Sequence, residues 1–239
     1  MQTALPVALS AQIAQQSRLD ALADNVANAS TPGFLATKLR FQEAVERHGG
    51  PAVAFVEPGG THLSHTRGAL QATGAPLDFA VRGEAWLSIQ TPDGPVLTRD
   101  GRMQMLASGD LVTLEGHAVL GPGGEAIALD PAGGAPIAGR DGSLAQRGRT
   151  VASIGLWETD RPPERRWGNS GVIPDAPPRP VLGRTDVSLL QGYVEGANVN
   201  PVEQMVRLIE VSRLHETLTG LAKRADNTLG EALKGLAAR

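Results

Sequence analysis

Glycine and proline are unevenly distributed along the chain, and this distribution limits what its parts can fold into. Residues 4–29 contain no glycine, and their only proline is Pro6, near the start, where a helix tolerates it. Beyond Pro201 the chain has no further proline and only three glycines. Most of the 29 glycines and 17 prolines lie in residues 49–192. Both ends are therefore free to form helices, whereas the middle must turn often.

Apolar residues recur at helical spacing in both ends. Within residues 4–29 they cover about half of a helix circumference: Leu5, Leu9, Ile13, Leu19, Leu22 and Val26. Near the other end, Asn200 is a good N-cap, Pro201 suits the first helical position, and Glu203 completes a capping box. The stripe that follows advances by alternating threes and fours: Leu208, Val211, His215, Leu218, Ala222, Ala225, Leu229, Ala232 and Leu236. This heptad pattern is typical of a coiled-coil partner, so we expect the helices to pair with each other, with other copies, or with both.

The middle of the chain has the pattern of short strands separated by turns. Glycines at 94, 101, 109, 116 and 123 recur every seven or eight residues, with short apolar runs between them. The pairs Asp93-Gly94 and Asp100-Gly101 are hairpin signals, because type I′ turns need positive φ. These features predict a compact antiparallel β-domain. Residues 158–183 are polar and rich in proline, and we expect them to form an extended loop.

The sequence therefore predicts an α+β protein, in which amphipathic terminal helices form a discontinuous, coiled-coil-like domain around a central all-β domain of short antiparallel strands. We divide the chain into an N-terminal helical segment, 1–33, which pairs with 198–239, and an extended connector, 34–75. A β-rich domain, 76–190, and a C-terminal helical segment, 191–239, follow.

Composition excludes several classes of function. The chain has no cysteine, which rules out disulfides, thiolate metal sites and a cysteine nucleophile. Its 22 basic and 25 acidic residues leave a net charge of −3, which argues against general nucleic-acid binding. No stretch approaches the roughly 18 apolar residues that span a bilayer, and no targeting signal is expected at the start. On these grounds alone the default compartment is the cytoplasm.

The residues best suited to catalysis or ligand binding do not form a recognisable site. His62 and His65 point to opposite faces if they lie in a strand, and no third ligand lies near them in sequence, so we predict no metal site. No phosphate-binding glycine loop or nucleophile elbow is present. The basic cluster of Arg161, Arg165 and Arg166 with Trp167 is neutralised by nearby acidic residues, and we expect a solvated loop that docks on a neighbour. We predict no enzyme activity and no cofactor.

Three ordered blocks of residues are similar to a known family. Residues 24–34, DNVANASTPGF, resemble the N-terminal motif of the flagellar rod and hook family, Asn-Asn-x-Ala-Asn-x-x-Thr-x-Gly-Phe. A second block includes Thr73-Gly74, Leu77-Asp78, Thr98-Arg99 and Gly101. The third block contains Gly192-Tyr193, Glu195, Asn198-Val199-Asn200, Glu203, Met205-Val206, Ile209, Arg213 and Glu216. The chain departs from the family at Leu97, Met103 and His215, where the family usually has aromatic residues.

The resemblance implies a structural, non-catalytic subunit of the bacterial flagellar basal-body rod. Residues 166–174 are most similar to the proximal rod type, with the distal rod type as the alternative. The resemblance also implies export by the flagellar type III apparatus without a cleaved signal peptide, and assembly in the periplasm. The partners are then other copies of the chain and neighbouring rod proteins, with no nucleic acid and no direct membrane insertion.

The same resemblance, together with the helical pattern, identifies the residues that we expect to serve assembly: Asn25, Ala27, Asn28, Thr31, Gly33, Phe34, Asn198, Asn200, Glu203, Met205, Ile209, Leu218 and Leu229. The asparagines are suited to caps and turns that fix how each helix meets the β-domain. An alternative from a different class is a secreted β-rich binding module whose helical ends serve only to oligomerise it.

Overall fold

A computed structural model describes residues 4–46 and 53–237, with side chains for residues 9–40, 60–220 and Lys223. The described residues form two helices with strands between them. The elements are α1 (Ala4–Ala27), β1 (Thr37–Glu46), β2 (Val53–Leu63), β3 (Leu70–Ala72), β4 (Phe79–Arg82), β5 (Leu87–Thr91), β6 (Gly94–Thr98), β7 (Met103–Met105), β8 (Leu111–Thr113), β9 (Ala118–Val119), β10 (Ile137–Ala138), β11 (Ser143–Gln146), β12 (Arg149–Ser153), β13 (Trp157–Glu158), β14 (Arg165–Trp167), β15 (Gly171–Ile173), β16 (Arg179–Pro180), β17 (Ser188–Gln191), β18 (Tyr193–Glu195) and α2 (Pro201–Ala237). The predicted α+β class, with a helix near each end and short antiparallel strands between them, is confirmed.

The chain divides into two compact units. The helical unit comprises Met1–Ala27, Thr37–His62 and Asn200–Arg239, and the β unit comprises Asn28–Ala36 and Leu63–Val199. In the helical unit α1 packs against both α2 and β1, and β1 pairs with β2.

The stretch that we expected to be an extended connector contains this pair of long strands, β1 and β2. Extended backbone leaves its N–H and C=O groups without partners unless a second strand supplies them, and β1 and β2 supply them to each other. The helical unit therefore contains a two-stranded sheet that the sequence pattern did not predict.

The largest sheet of the β unit has seven strands, in the order β14-β15-β6-β5-β9-β8-β7. Strands β10, β11 and β12 form a second sheet, and β13–β16, β17–β4 and β18–β3 form pairs. Every one of these pairings is antiparallel.

One of the two predicted hairpins forms and the other does not. Strands β5 and β6 form the hairpin at Asp93-Gly94, where Gly94 has φ +116°. Asp93 lacks positive φ, so the turn is not type I′. The hairpin predicted at Asp100-Gly101 is wrong, because β6 pairs with β15 and β7 pairs with β8. Gly101 is required there for another reason, since a Cβ atom would lie 1.6 Å from the Phe79 carbonyl oxygen.

The prediction of an extended loop over residues 158–183 is wrong in part. Strands β14 and β15 form a hairpin that extends the seven-stranded sheet beside β6, and β16 pairs with β13. Arg166 and Trp167 therefore belong to a strand rather than to a solvated loop. These strands are only two or three residues long and lie among many polar residues and prolines, so composition alone did not distinguish them from a loop.

The main core of the β unit lies among its sheets and contains fully buried side chains such as Phe79, Leu87, Leu111 and Leu144. Leu97 and Met103 are also buried, at 1% and 5% exposure, although each stands where the family usually has an aromatic residue. Within the described part of the chain, no helix is both long and apolar enough to cross a membrane.

Candidate assembly interface

The segment that follows α1 is a tight turn whose shape depends on Gly33. The Thr31 N–H donates to the Asn28 carbonyl at 3.0 Å, and the Phe34 N–H donates to the Thr31 carbonyl at 3.2 Å. Gly33 has φ +71°, and a Cβ atom there would lie 2.4 Å from the Asp100 backbone nitrogen. Only glycine satisfies both conditions without strain. Four residues of the N-terminal motif, Asn28, Thr31, Gly33 and Phe34, therefore belong to this turn.

Asn25 joins the end of α1 to the start of β1. Its side-chain amide donates to the Thr37 carbonyl at 2.9 Å and accepts from the Thr37 N–H at 2.8 Å. The Asn25 side chain thereby supplies Thr37 with the two hydrogen bonds that a neighbouring strand would otherwise supply. This side chain is 4% exposed. Asn25 is therefore a clamp within the helical unit and does not cap the helix.

Asn198 holds three separated stretches of the β unit together. Its Oδ1 accepts from the Ala36 N–H at 2.6 Å, and its Nδ2 donates to the carbonyl oxygens of Ser64 and Thr66 at 2.6 and 2.8 Å. Its backbone N–H donates to the Phe34 carbonyl at 3.2 Å. These contacts fix the stretch before α2 against the stretch after α1.

Phe34 is an internal anchor of the same region. Its side chain is 1% exposed and clusters with Ala36 and Val199. The Arg166 guanidinium lies 4.2 Å from the centre of the Phe34 ring and donates to the Leu35 carbonyl at 2.5 Å. Arg166 therefore stacks on the Phe34 ring of its own subunit.

A buried ion pair, which the sequence patterns did not single out, lies in the β unit. Arg99 Nη1 is 3.0 Å from Glu195 Oε2, with the two side chains 1% and 4% exposed. The Arg99 guanidinium also donates to the carbonyls of Val81 and Gly83, and it lies 4.8 Å from the Trp86 ring. Arg99 and Glu195 both belong to the blocks of residues that resemble the family. This membership was the only sequence feature that marked the two residues out.

Glu195 is held by two further contacts. The Gly68 N–H donates to its Oε1 at 3.1 Å, and its backbone carbonyl accepts from the Gly33 N–H at 2.8 Å. Burial raises the pKa of the Glu195 carboxyl group, whereas the Gly68 N–H and the charge of Arg67 lower it. Through its backbone carbonyl, Glu195 thus connects the turn after α1 to β18, the strand that precedes α2.

The N-cap predicted at Asn200 forms, whereas the Glu203 carboxylate, which we predict to complete a capping box, pairs with Arg207 instead. Asn200 Oδ1 accepts from the Glu203 N–H at 3.3 Å, its carbonyl accepts from the Gln204 N–H at 3.0 Å, and Pro201 begins the helix. The Glu203 carboxylate forms an ion pair with Arg207 at 2.6 Å.

Helix α2 has two apolar faces. On the inner face, Val211 is 4% exposed, Leu208, His215 and Leu218 are half-buried, and Thr219 accepts a hydrogen bond from Gln12 of α1 at 3.5 Å. The opposite face, which we call the outer face, is made of Val202, Met205, Val206 and Ile209, at 69%, 49%, 53% and 53% exposure. Four neighbouring exposed apolar side chains on one helix form a surface suited to a partner.

The structure thus separates the predicted assembly residues into three groups. Internal clamps, turns and caps are formed by Asn25, Asn28, Thr31, Gly33, Phe34, Asn198 and Asn200. Exposed positions of the helices are Ala27, Glu203, Met205 and Ile209. Leu218 lies on the inner face, and the side chain of Leu229 is outside the described residues.

Comparison with known proteins identifies relatives of the whole chain. Residues 5–34 match the family described as flagella basal body rod protein, and residues 190–234 match the family described as flagellar basal body rod FlgEFG protein C-terminal. The flagellar basal-body rod protein FlgF of Mesorhizobium japonicum is 49% identical over all of both chains. The FlgF protein of Rhizobium meliloti is 43% identical over 99% of this chain and 98% of the relative. A rod protein named FlgG, from Agrobacterium fabrum, is 28% identical over 98% of this chain and 99% of its own length.

Proposed function

Because the chain belongs to the FlgF family of flagellar basal-body rod proteins, we propose that its terminal helices carry its contacts with neighbouring rod subunits. The chain is a structural subunit of the rod, without enzymatic activity, and it assembles with other rod components. The distal alternative, FlgG, is less supported, because its named relative is less similar.

The outer face of α2 is the observation that supports this proposal. Burying a large aliphatic side chain contributes roughly 1.5–3 kcal/mol, and the outer face keeps four apolar side chains about half or more exposed. A partner helix that covers them would therefore be stabilised by their burial. We expect the pairing to have coiled-coil geometry.

The signature asparagines have a supporting role in this proposal. Asn25 and Asn198 are used inside the subunit, so they position the chain next to each helix and do not contact a neighbour. Among the predicted assembly residues, Met205 and Ile209 are then the ones that contact a neighbour, because they lie on the outer face.

Partners and compartment follow from the rod assignment as proposals. The partners are other copies of the chain, neighbouring rod proteins and, during delivery, the flagellar type III export apparatus. The rod then assembles in the periplasm, and the subunit is exported without cleavage of a signal peptide. We expect no contact with nucleic acid and no direct membrane insertion.

Replacing Ile209 with aspartate tests the outer face. A partner helix would then have to bury an unpaired carboxylate, which is strongly unfavourable, so we expect incorporation into isolated rods to fall about tenfold or more. The measurement is the amount of the chain in purified basal bodies, together with swimming motility. Tryptophan fluorescence should be unchanged, because Trp86, Trp157 and Trp167 all lie in the β unit.

The matched control is Leu214→Asp. Leu214 is another exposed apolar residue of α2, at 45% exposure, and it lies about 140° around the helix from Ile209. Incorporation should remain close to that of the unmodified chain. Equal losses for both variants, or normal incorporation of Ile209→Asp, would contradict the proposed surface.

A further inference from the structure

We propose that a cleft in the β unit receives Arg149 of a second copy of this chain, and that Arg149 forms an ion pair with Glu84 there. This contact adds an interface of the β unit to the helix contacts of the proposed function, and it rests on the assignment of the chain as a rod subunit. It is carried by the charge, exposure and position of two surfaces, the cleft and the tip of a β-hairpin.

The cleft has a volume of about 210 Å³ and lies beside β13. Its lining includes two buried apolar side chains, Leu35 and Trp86, which are 5% and 8% exposed. The charged residues of the lining are Glu84, Glu158, Asp160, Glu195, Arg67 and Arg184. The volume is below the roughly 300–1,000 Å³ that is typical of small-molecule pockets, so the cleft is better suited to a single side chain.

Glu84 is the carboxylate of the cleft that lacks an ion pair. The other three are paired with arginines: Glu158 with Arg184, Asp160 with Arg179 and Glu195 with Arg99. Glu84 is exposed, and it forms no ion pair with any residue that the structure describes. Apolar lining next to an unpaired carboxylate fits a side chain with an aliphatic stem and a cationic end, as arginine and lysine have.

A matching cation is exposed at the tip of the hairpin of β11 and β12. The turn consists of Arg147 and Gly148, with φ +49° and +75°, and β12 begins at Arg149. Arg147 is used within the subunit, because its guanidinium donates to the Ala132 carbonyl and lies 4.0 Å from Asp130. Arg149 is exposed, and it has no ion pair among the described residues. Arg149 is therefore available to a neighbour.

The strand edge beside Arg149 is open as well. Strand β12 pairs with β11 on one side and has no partner strand on the other side among the described residues. Thr150 and Val151 follow Arg149 and are exposed, Val151 at 44%. An unpaired strand edge is a ready site for contact with another chain. The tip therefore presents Arg149 together with backbone hydrogen-bonding groups and one apolar side chain.

Other exposed arginines of the β unit that lack an ion pair are less well placed. Arg82 is two positions from Glu84, and Arg161 and Arg165 lie within three positions of Pro162, which lines the cleft. These three belong to the same side of the subunit as the cleft itself. Arg149 lies at a hairpin tip that contributes nothing to the cleft lining.

The tip and the cleft are different surfaces of one chain. Residues 149–158 connect them, because β12 begins at Arg149 and β13 ends at Glu158, in the cleft lining. None of residues 143–153 lines the cleft, so the hairpin does not fill the cleft of its own subunit. A contact between two different surfaces is head to tail, and it can repeat from copy to copy without inverting the neighbour. Such a contact is suited to a component of a rod.

Charge reversal with compensation tests the ion pair. Glu84→Arg and Arg149→Glu would each place like charges opposite one another, so each should reduce the amount of the chain in isolated rods about fivefold. The double variant Glu84→Arg/Arg149→Glu restores the pair at every contact, and incorporation should recover to at least about half. Arg140→Glu is the control, because Arg140 is also exposed but lies at the other end of β11 from the tip, and it should have little effect. Unchanged urea midpoints exclude unfolding as the cause of any loss.

Cross-linking identifies the partner, because the chain has no cysteine of its own. In isolated rods, a short bismaleimide should join Glu84→Cys/Arg149→Cys into multimers of this chain. A bismaleimide is used because two long paired side chains hold their Cα atoms beyond the roughly 7 Å limit of a disulfide. The control Asp93→Cys/Arg149→Cys places one thiol at the far end of β5, about 16 Å along the strand from Trp86, and should yield about fivefold less.

Several results would overturn the inference: normal incorporation of both single charge variants, no recovery in the double variant, equal cross-linking in the control, or cross-links only to a different protein. Failure of the proposed function is distinguishable, because Ile209→Asp would then be incorporated normally. If Ile209→Asp blocks incorporation while the double charge variant does not recover, the outer face of α2 is still an assembly surface but the cleft does not receive Arg149.

Discussion

Replacing Arg99 with methionine is expected to lower the free energy of unfolding of the β unit by about 3–5 kcal/mol. The substitution would leave the Glu195 carboxylate buried without its counter-ion, and it would remove donors to the carbonyls of Val81 and Gly83. Urea unfolding followed by tryptophan fluorescence measures the effect, because all three tryptophans lie in the β unit.

Two variants separate the buried charge from general damage. Arg99→Met/Glu195→Met removes both charges, and it should be more stable than Arg99→Met alone, because no unpaired charge then remains. Arg179→Met removes one member of an exposed ion pair with Asp160, and it should cost less than about 1 kcal/mol. If Arg99→Met and Arg179→Met had the same small effect, the buried ion pair would not stabilise the β unit.

The second large effect is expected for Asn198→Ala. The substitution removes the side-chain hydrogen bonds to three residues at once, and it leaves the Ala36 N–H and the carbonyls of Ser64 and Thr66 without these partners. Each unsatisfied buried group costs about 1–3 kcal/mol, and water can reach part of this site, so we expect a total loss of about 3 kcal/mol. The same urea experiment measures it.

Asn169→Ala is the matched control for this variant. Asn169 is exposed, and its described contact is made by its backbone carbonyl, which accepts from Arg166. The substitution should change the free energy of unfolding by less than about 0.5 kcal/mol. A loss for Asn198→Ala as small as this would show that the clamp does not hold the three stretches together.

Features that depend on neighbouring residues were predictable from the sequence. The cap at Asn200 and the start of α2 at Pro201 follow from side-chain chemistry within one turn, and both are confirmed. The β5–β6 hairpin at Asp93-Gly94 depends on four consecutive residues and is likewise confirmed. The helical period of each end was also sufficient to predict α1 and α2.

Features that join distant parts of the chain were not predictable in this way. Arg99 and Glu195 are 96 positions apart, and Asn198 bonds to residues more than 130 positions away. The pairing of β15 with β6 similarly crosses more than 70 positions, and it is the reason that Asp100-Gly101 does not form a hairpin. Single-sequence patterns carry local preferences, whereas these contacts depend on tertiary packing.

The assembly residues show the same division. Most of the asparagines and small residues of the two terminal motifs form internal contacts, whereas the exposed surface of α2 consists of ordinary aliphatic residues. Residue spacing alone predicts the inner face, Leu208 to Leu218, because the apolar residues of this face recur with an unbroken heptad period. The outer face was identified only from the structure, in which its apolar side chains are exposed and those of the inner face are buried or half-buried.

Thiol labelling of Val206→Cys is the most direct test of the claim that the outer face of α2 is covered in the rod. The chain has no other cysteine, and the side chain of Val206 is 53% exposed in the subunit. We predict that a maleimide reacts with Val206→Cys at least about tenfold more slowly in isolated rods than in the free chain, while Leu214→Cys reacts at similar rates in both. Equal rates for Val206→Cys in rods and in the free chain would contradict the account.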